Sequence, residues 1–299
     1  MALDGLSVPI PTLFADDGAV DLGRNSRFAR TLSDAKVDHL FALGTLGEFP
    51  LVTDDERTKL VDLWVQSVSG KTDVWVGCGA PATARAVAYA TEAESAGAEA
   101  IVAVGPYYLK PTVAALGGYF RAIHEAITVP LLAYNIPAFV GYALPPDLVH
   151  ALARDGVLAG IKDTSGSLES VRSFLAGAPD GFAVFPGDDA LAAAAIAAGA
   201  AGAVMGMANL VPALCVGLVA AARAHEAGRA TELQGLVDQL VEVTRAGPFP
   251  SVDKFLAHRL RGADVGYRAP FGPLAPEEEA AVLARLAPIE ARLKPFLGK

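Results

Sequence analysis

Lys162 is the residue whose position in this sequence most needs a chemical explanation. It directly follows five apolar residues, 157–161, which have the composition of a buried strand, whereas the other seven of the eight lysines fall on predicted helices, in loops or at the tail. Burying a lysine is costly. Burial also favours the uncharged amine, which can attack a carbonyl and form a Schiff base. The alternative is a strand-end lysine that reaches solvent or pairs with Asp163.

Tyr134 ends another apolar run, 131–133, and opens the sequence Tyr134-Asn135-Ile136-Pro137. A tyrosine hydroxyl at the end of a strand can pass a proton to and from a substrate oxygen. The alternative for a lone tyrosine is a packed ring whose hydroxyl bonds to the backbone. Both interpretations stay open on sequence alone.

A glycine-rich turn, Gly44-Thr45-Leu46-Gly47-Glu48, follows the apolar run 39–43. Its two glycines permit a tight turn whose backbone N–H groups, together with the Thr45 hydroxyl, can hold a carboxylate. The alternative is an ordinary connection between a strand and a helix.

Two further polar segments follow apolar runs. Tyr108 closes Pro106-Tyr107-Tyr108 after the run 102–104, where it is either functional, an aromatic plug of the loop or a subunit contact. Gly187-Asp188-Asp189 follows the run 184–186, and paired acids there either bind sugar hydroxyls or cap the next helix. Capping is expected for at least one of the two aspartates.

The elements that must position these residues are eight short apolar runs separated by helical patterns. Continuous apolar runs are typical of strands buried on both faces of a parallel sheet, and eight strand–helix units predict a (β/α)8 TIM barrel. A doubly wound open sheet is the alternative, but no G-x-G-x-x-G motif follows the first strand. The predicted strands are residues 7–13, 39–43, 74–78, 100–104, 131–134, 157–161, 183–185 and 203–205.

Helix-start signals agree with this pattern. Thr53-Asp54-Asp55-Glu56 predicts a capped helix, Pro81-Ala82-Thr83 precedes an alanine-rich one, and Pro145-Pro146-Asp147 opens a third. Helical patterns at about 229–245, 252–261 and 276–293 exceed what one barrel needs. We expect a single catalytic domain, with the barrel in residues 1–212 and the last barrel helix plus a C-terminal helical extension in residues 213–299.

Composition narrows the class of protein. The chain has 299 residues, 53% of them hydrophobic, and a net charge of −9 without a basic run, so nucleic acid and anionic membranes are poor partners. Cys78 and Cys215 form no CxxC pair, which disfavours a disulfide framework or thiolate zinc site and suits a reducing compartment. No signal peptide or membrane span is recognised, so a soluble cytoplasmic enzyme is expected. The five histidines, four of them in helical patterns, lack metal-ligand spacing: His39, His124, His150, His225 and His258.

Taken in order, these five motifs resemble the dihydrodipicolinate synthase / N-acetylneuraminate lyase superfamily of class I pyruvate aldolases. The resemblance covers residues 6–273 and implies a (β/α)8 barrel with a C-terminal helical extension, usually in a tetramer built as a dimer of dimers. It implies no metal or other cofactor, because Lys162 forms the Schiff base with a 2-oxo acid. It further implies that Tyr134 relays the proton, and that Thr45 binds the carboxylate and links Tyr134 to Tyr108 across the dimer. Val204, through its carbonyl, and Gly206 would line the pyruvate pocket.

Departures from the synthases point to another branch. Phe139 stands where the synthases carry an arginine that grips the carboxylate of aspartate semialdehyde, and Leu46 replaces their second threonine. Lys162-Asp163-Thr164 resembles sialic acid lyases and 2-keto-3-deoxy sugar-acid aldolases, with the Thr164 hydroxyl available to a substrate hydroxyl. Sialic acid lyases tend to have Asp-Glu at the positions of Asp189-Ala190, and this difference disfavours that branch. The bacterial 2-keto-3-deoxygluconate/galactonate aldolases are therefore the nearest resemblance.

We therefore expect a carbon–carbon lyase that cleaves a 2-keto-3-deoxy sugar acid, non-phosphorylated by preference, to pyruvate and an aldehyde. The alternatives are a dihydrodipicolinate synthase condensing pyruvate with aspartate semialdehyde, a Schiff-base dehydratase, and a catalytically silent binding protein of the same fold. The expected catalytic residues are Lys162, Tyr134, Thr45 and Tyr108, and the expected substrate-binding residues are Leu46, Gly47, Thr164, Phe139, Gly187, Asp189, Val204 and Gly206.

Overall fold

Eight parallel strands form the centre of the molecule. The computed structural model describes residues 3–297, and the predicted (β/α)8 barrel with a C-terminal helical extension is confirmed. The strands are β1 (Gly5–Pro9), β2 (His39–Ala42), β3 (Asp73–Gly77), β4 (Ala100–Val104), β5 (Leu131–Asn135), β6 (Gly160–Asp163), β7 (Ala183–Pro186) and β8 (Gly202–Val204).

The strands follow one another around the barrel in sequence order. Each pairs in parallel with the next from β1 to β7, and β1 also pairs with β8. Within residues 3–297, β7 and β8 form no ladder. One backbone hydrogen bond joins them, in which the Ala201 N–H donates to the Val184 carbonyl at 3.0 Å. The barrel is thus nearly closed, with a seam between its last two strands.

Helices surround the strands and continue beyond them. Thr53 caps α2 as predicted, and the side chain of Glu56 completes the capping box by accepting the Thr53 N–H at 3.0 Å. The helices are α1 (Leu22–Asp34), α2 (Asp54–Val68), α3 (Thr83–Ser95), α4 (Val113–Glu125), α5 (Pro137–Val140), α6 (Pro146–Arg154), α7 (Leu168–Ala176), α8 (Ala192–Ala197), α9 (Pro212–Arg223), α10 (Ala227–Thr244), α11 (Ser251–Arg261) and α12 (Pro276–Leu293). Within residues 3–297, no helix is long and apolar enough to cross a membrane.

Two of the predicted strands had boundaries that were wrong by two or more residues, whereas the other six agree to within one residue. The run 157–161 is split, because the N–H groups of Val157 and Leu158 bond to the Leu152 carbonyl at the end of α6, and β6 starts only at Gly160. The predicted strand 7–13 lies two residues earlier at its start and ends at Pro9. A proline cannot donate to a ladder, and this segment contains both Pro9 and Pro11.

The apolar residues form an inner and an outer core. Side chains that point into the barrel pack together, and the Trp75 and Phe185 rings meet edge to face at 5.2 Å. A larger cluster fills the layer between the strands and the helices. The inner core fills the barrel below its carboxyl-terminal mouth, so the polar side chains at the strand ends stand on a rigid floor.

Candidate active site

Lys162 lies within β6 and points into the barrel. It is paired in register with Tyr134 on β5 and with Phe185 on β7, and paired residues of neighbouring strands face the same side of a sheet. Its side chain is only 6% exposed. The Lys162 Nζ lies 4.2 Å from the centre of the Tyr134 ring and 4.9 Å from that of Phe41. The amine is thus buried against aromatic faces.

Asp163 does not neutralise this lysine, which removes the ion-pair alternative raised from the sequence. Side chains alternate along a strand, so Asp163 faces away from the barrel interior. Its carboxylate accepts hydrogen bonds from the Asn135 amide at 2.7 Å and from the Ser165 hydroxyl at 2.9 Å. The side-chain Oδ1 of Asn135 in turn accepts the Leu144 N–H at 2.9 Å, so this network braces the loop that follows β5.

Tyr134 and Thr45 form a hydroxyl pair beside the amine. The Tyr134 hydroxyl and the Thr45 Oγ1 lie 3.2 Å apart, although the two residues are 89 positions apart in the chain. Register fixes the tyrosine next to Lys162, and the turn after β2 brings the threonine across the mouth. The pair can therefore carry a proton away from an atom bound near Lys162.

The turn after β2, which carries Thr45, also contains backbone N–H groups without partners among the described residues. In residues 3–297, the N–H groups of Thr45, Leu46 and Gly47 donate to no backbone or side-chain acceptor, whereas the Glu48 N–H bonds to the Thr45 carbonyl. The Gly47 carbonyl is held by the Thr12 hydroxyl at 2.6 Å, and the Leu46 side chain is buried. Free donors beside a hydroxyl suit a carboxylate.

Thr164 and Gly187 form the next part of the wall. The Thr164 hydroxyl is buried and has no hydrogen-bond partner among the described residues. A Cβ at Gly187 would lie 2.1 Å from this hydroxyl and 2.6 Å from the Cε of Lys162, so only glycine leaves room here. An unpaired buried hydroxyl is costly, so this one is suited to a substrate oxygen.

The two aspartates after β7 have backbone partners. The Asp188 carboxylate caps the next turn by accepting the Ala190 N–H at 3.0 Å. The Asp189 carboxylate accepts the N–H groups of Gly206 at 3.1 Å and Met207 at 3.0 Å, which joins the loops after β7 and β8. Burial raises the pKa of Asp189 to about 6. Val204 ends β8 in the buried wall, and the substrate-binding roles of Val204, Gly206 and Asp189 stay predictions.

Two predicted site residues stand at the surface of the single chain. Tyr108 is 96% exposed and has a positive φ of 73°, so its hydroxyl does not complete the Tyr134–Thr45 pair within its own chain. Its predicted role depends on a partner chain. Phe139, on α5 immediately after β5, is 64% exposed at the mouth of the barrel.

Sequence reasoning missed a second buried lysine. Lys254 on α11 is only 1% exposed, and its Nζ lies 2.5 Å from the carboxylate of Glu48 and donates to the Gly266 carbonyl at 2.9 Å. Burial raises the pKa of Glu48 and lowers that of Lys254. The available signal was its place between Val252 and Leu256, on the side of the helix that carries the apolar residues.

Sequence reasoning also missed Phe249, in the link between α10 and α11. Its ring meets that of Phe139 edge to face at 6.2 Å, and it is 45% exposed. One turn later, burial and the neighbouring Asp189 carboxyl raise the pKa of Asp253 to about 7. The start of α11 therefore lies over the mouth of the barrel.

The remaining reactive side chains are two cysteines and five histidines. Burial raises the pKa of Cys78 to about 12 and that of Cys215 well above its usual value. Three histidines lie in helices, His39 begins β2, and His225, predicted to be helical, lies in the turn after α9. Across residues 3–297, no group of three or more histidine, cysteine or acidic side chains is placed to hold a metal ion.

Comparisons with known proteins identify relatives of the whole chain. The profile of the dihydrodipicolinate synthetase family matches residues 2–288. An uncharacterised DapA-like lyase of Halobacterium salinarum is 35% identical over 96% of this chain and 94% of its own length. A 4-hydroxy-tetrahydrodipicolinate synthase of Azoarcus sp. is 35% identical over 95% of this chain and 97% of its own.

Solved structures give the same picture. YagE of E. coli K12, a prophage protein of the dihydrodipicolinic acid synthase family, has a TM-score of 0.91 at 29% identity, with 98% of this chain and 99% of that one covered. The chloride-inhibited dihydrodipicolinate synthase of Acinetobacter baumannii has a TM-score of 0.91 at 28% identity, with 96% and 98% covered. Both were solved as complexes with pyruvate.

Proposed function

Since the chain belongs to the dihydrodipicolinate synthetase family, we propose that it is a class I aldolase that cleaves a 2-keto-3-deoxy sugar acid to pyruvate and an aldehyde. Enzymes of this family are pyruvate-dependent lyases that use a lysine Schiff base and no metal. A small 2-oxo acid is accordingly the substrate class of this protein.

The observation that carries the proposal is the buried Lys162 amine beside the Tyr134–Thr45 hydroxyl pair. Lys162 attacks the C2 ketone, and loss of water gives the imine. As the C3–C4 bond breaks, the electrons move into an enamine, and the Tyr134 hydroxyl accepts the C4 hydroxyl proton while passing its own towards Thr45. The aldehyde leaves, C3 is protonated, and water hydrolyses the imine to pyruvate.

The remaining wall supports a hydroxylated substrate. The free N–H groups after β2 suit the carboxylate at C1. The unpaired Thr164 hydroxyl offers a hydrogen bond to an oxygen further along the substrate. The predicted role of Gly187 fits this picture, because only a glycine there leaves space beside the Lys162 side chain. Gly206 is held through the hydrogen bond from its N–H to the Asp189 carboxylate.

A dihydrodipicolinate synthase is the second candidate, since curated relatives carry that name. Its second substrate, aspartate semialdehyde, carries a carboxylate. Phe139 offers an uncharged ring at the position where the synthases place an arginine, so this chain lacks that charge-assisted contact. An assay with pyruvate and aspartate semialdehyde separates the two functions.

The decisive experiment is to mix the protein with 2-keto-3-deoxygluconate, reduce with borohydride and locate the adduct by peptide mass. A pyruvate-sized adduct on Lys162 is expected, because the substrate is cleaved on the imine. An adduct of the whole sugar acid would instead indicate dehydration or a different sugar. Absence of an adduct, with pyruvate as well, would contradict the Schiff-base assignment.

We also propose that the protein acts as a tetramer built from dimers, with Tyr108 entering the site of a partner chain. The nearly complete exposure of this side chain on a positive-φ backbone supports that arrangement. The division into a barrel of residues 1–212 and a following helical part of one catalytic domain is proposed with it. Two free buried cysteines, Cys78 and Cys215, support a reducing, cytoplasmic location.

A further inference from the structure

Two aromatic rings stand at the mouth of the barrel without being buried in the core. Phe139 and Phe249 are among the few large apolar side chains that the described chain exposes, and their rings contact each other. They come from segments 110 residues apart, α5 and the α10–α11 link. We call this pair the phenyl rim.

Topology places the phenyl rim above Lys162. Phe139 follows β5, while Phe249 precedes the start of α11, where Asp253 neighbours Asp189 of the loop after β7. Strand β6 lies between β5 and β7, so the rim spans the outer end of the strand that carries Lys162. A substrate joined to Lys162 at C2 must extend its far end from the barrel floor towards the mouth.

Polarity changes along that direction. Around Lys162, the wall offers the Tyr134 and Thr45 hydroxyls, the Thr164 hydroxyl and the free N–H groups after β2. The phenyl rim offers only ring carbon. A charged or hydroxylated terminus pressed against it would lose water without gaining a hydrogen bond, whereas an alkyl terminus would gain apolar contact.

We propose that the phenyl rim is the subsite for the aldehyde end of the substrate, and that it selects a 2-keto-3-deoxy acid ending in a methyl group. Hydroxymethyl, phosphate and carboxylate termini are disfavoured. This inference rests on the retro-aldol function proposed above. For a six-carbon substrate, breaking C3–C4 gives pyruvate and 2-hydroxypropanal, with all atoms accounted for and no oxidant or reductant required.

The test runs the reaction in the direction of condensation, with pyruvate and a matched pair of aldehydes. Racemic 2-hydroxypropanal and racemic glyceraldehyde differ only in a methyl or hydroxymethyl end, and racemates remove the effect of configuration. We expect kcat/KM to be about tenfold higher for 2-hydroxypropanal, the scale on which an apolar pocket discriminates one small group. Equal values, or a preference for glyceraldehyde, would overturn the inference.

Two variants assign the selectivity to the rim. Phe139→Asn and Phe249→Asn each put a hydrogen-bonding amide in place of a ring, and each should reduce the preference for 2-hydroxypropanal several-fold. Leu22→Asn is the matched control, because it removes an exposed apolar side chain on α1 and should leave the ratio unchanged. Borohydride trapping of pyruvate should be retained in all three variants, which shows that they fold.

A charge variant sharpens the test. Phe139→Arg should raise kcat/KM for succinic semialdehyde, whose carboxylate then finds a partner, and should lower it for 2-hydroxypropanal. If the rim instead buries against a second copy of the chain, the asparagine variants will change the native mass and leave the aldehyde ratio unchanged, which overturns the inference.

The outcomes separate the two proposals. A glyceraldehyde preference with efficient condensation overturns the phenyl-rim inference and leaves the aldolase standing. Failure to condense any aldehyde, while pyruvate is still trapped on Lys162, overturns both the aldolase and the rim subsite.

Discussion

The barrel buries two lysines in opposite ways. Lys162 lies at the base of the mouth with its amine against aromatic rings, and Asp163, its neighbour in sequence, points elsewhere. Lys254, on α11, lies beside the Glu48 carboxylate at 2.5 Å and donates to a backbone carbonyl. Both are almost inaccessible to solvent.

This difference teaches that burial of a lysine does not by itself mark a nucleophile; its partner does. The Glu48 carboxylate occupies the Lys254 amine at hydrogen-bond distance, so Lys254 acts as a tether between α11 and the turn that carries Thr45. Lys162 has aromatic faces and a nearby hydroxyl pair around its amine, and Asp163 is turned away, so the space beside the amine is open to a carbonyl. The four predictions below test this assignment, from the largest expected effect to the smallest.

Removing the Lys162 amine should have the largest effect. Lys162→Ala should abolish turnover, with a loss on the order of the 10⁶-fold seen when a covalent nucleophile is removed. The measurements are pyruvate release, borohydride trapping and the melting curve. The fold should persist, because the alanine keeps the backbone pairing of β6 with β5 and β7. Substantial remaining turnover would mean that Lys162, like Lys254, is not the nucleophile, and would contradict the comparison.

Tyr134→Phe separates proton relay from imine formation. Loss of the hydroxyl should lower turnover by about 10²–10⁴-fold, the usual contribution of a positioned acid or base. Trapping of pyruvate on Lys162 should fall far less, because the ring beside the amine is kept. Equal losses in both measurements would mean that the hydroxyl is needed to make the imine.

Lys254→Met should affect stability rather than chemistry. It leaves the buried Glu48 carboxylate unpaired, and breaking a buried ion pair costs about 3–5 kcal/mol. Denaturant unfolding measures this cost, while borohydride trapping per folded molecule should remain. The double variant with Glu48→Gln should be less destabilised than Lys254→Met alone. A double variant no better than the single one would show that the ion pair is not the cause.

The ion pair between Glu56 and Arg268 gives an intermediate case that is partly open to solvent. Arg268 Nη1 donates to the Glu56 carboxylate at 2.7 Å, and these hydrogen bonds lower the pKa of Glu56 to about 2. Because this folded-state pKa lies below the unfolded value, the stabilisation is present above about pH 4.5 and is lost as pH falls towards 2. Glu56→Gln should lower the free energy of unfolding by about 1–3 kcal/mol at neutral pH. Denaturant unfolding at a series of pH values should also show a smaller loss of stability between about pH 4.5 and 2 in this variant. If the loss of stability at low pH is the same in the variant, that loss comes from other carboxylates.

Local sequence patterns predicted the features that strands and turns determine. Lys162, Tyr134 and Thr45 each follow or end an apolar run, and the parallel order of the strands brings such residues to one end of the barrel. The helix from Pro276 to Leu293 was predicted with its observed bounds, because its cap and apolar periodicity are local.

The missed features depend on partners far along the chain. Lys254 looks like an ordinary helical lysine until Glu48 is placed against it from 206 residues away. Phe249 looks like a loop residue until α11 lies across the mouth and brings it to Phe139. The start of β6 was misplaced because the N–H groups of Val157 and Leu158 bond to the end of α6. The apolar pattern of the strand gives no sign of this.

The seam between β7 and β8 is the one place around the described barrel where neighbouring strands are not joined by a ladder. Below the mouth, one amide, that of Ala201, joins the two strands, and at the mouth the Asp189 carboxylate holds the Gly206 and Met207 amides. The side chain of Gln234 on α10 supports Asp189 by donating a hydrogen bond to its backbone carbonyl at 2.9 Å. Side chains rather than a backbone ladder thus hold the two strands together near Lys162, so amide hydrogen exchange should reach the barrel there first.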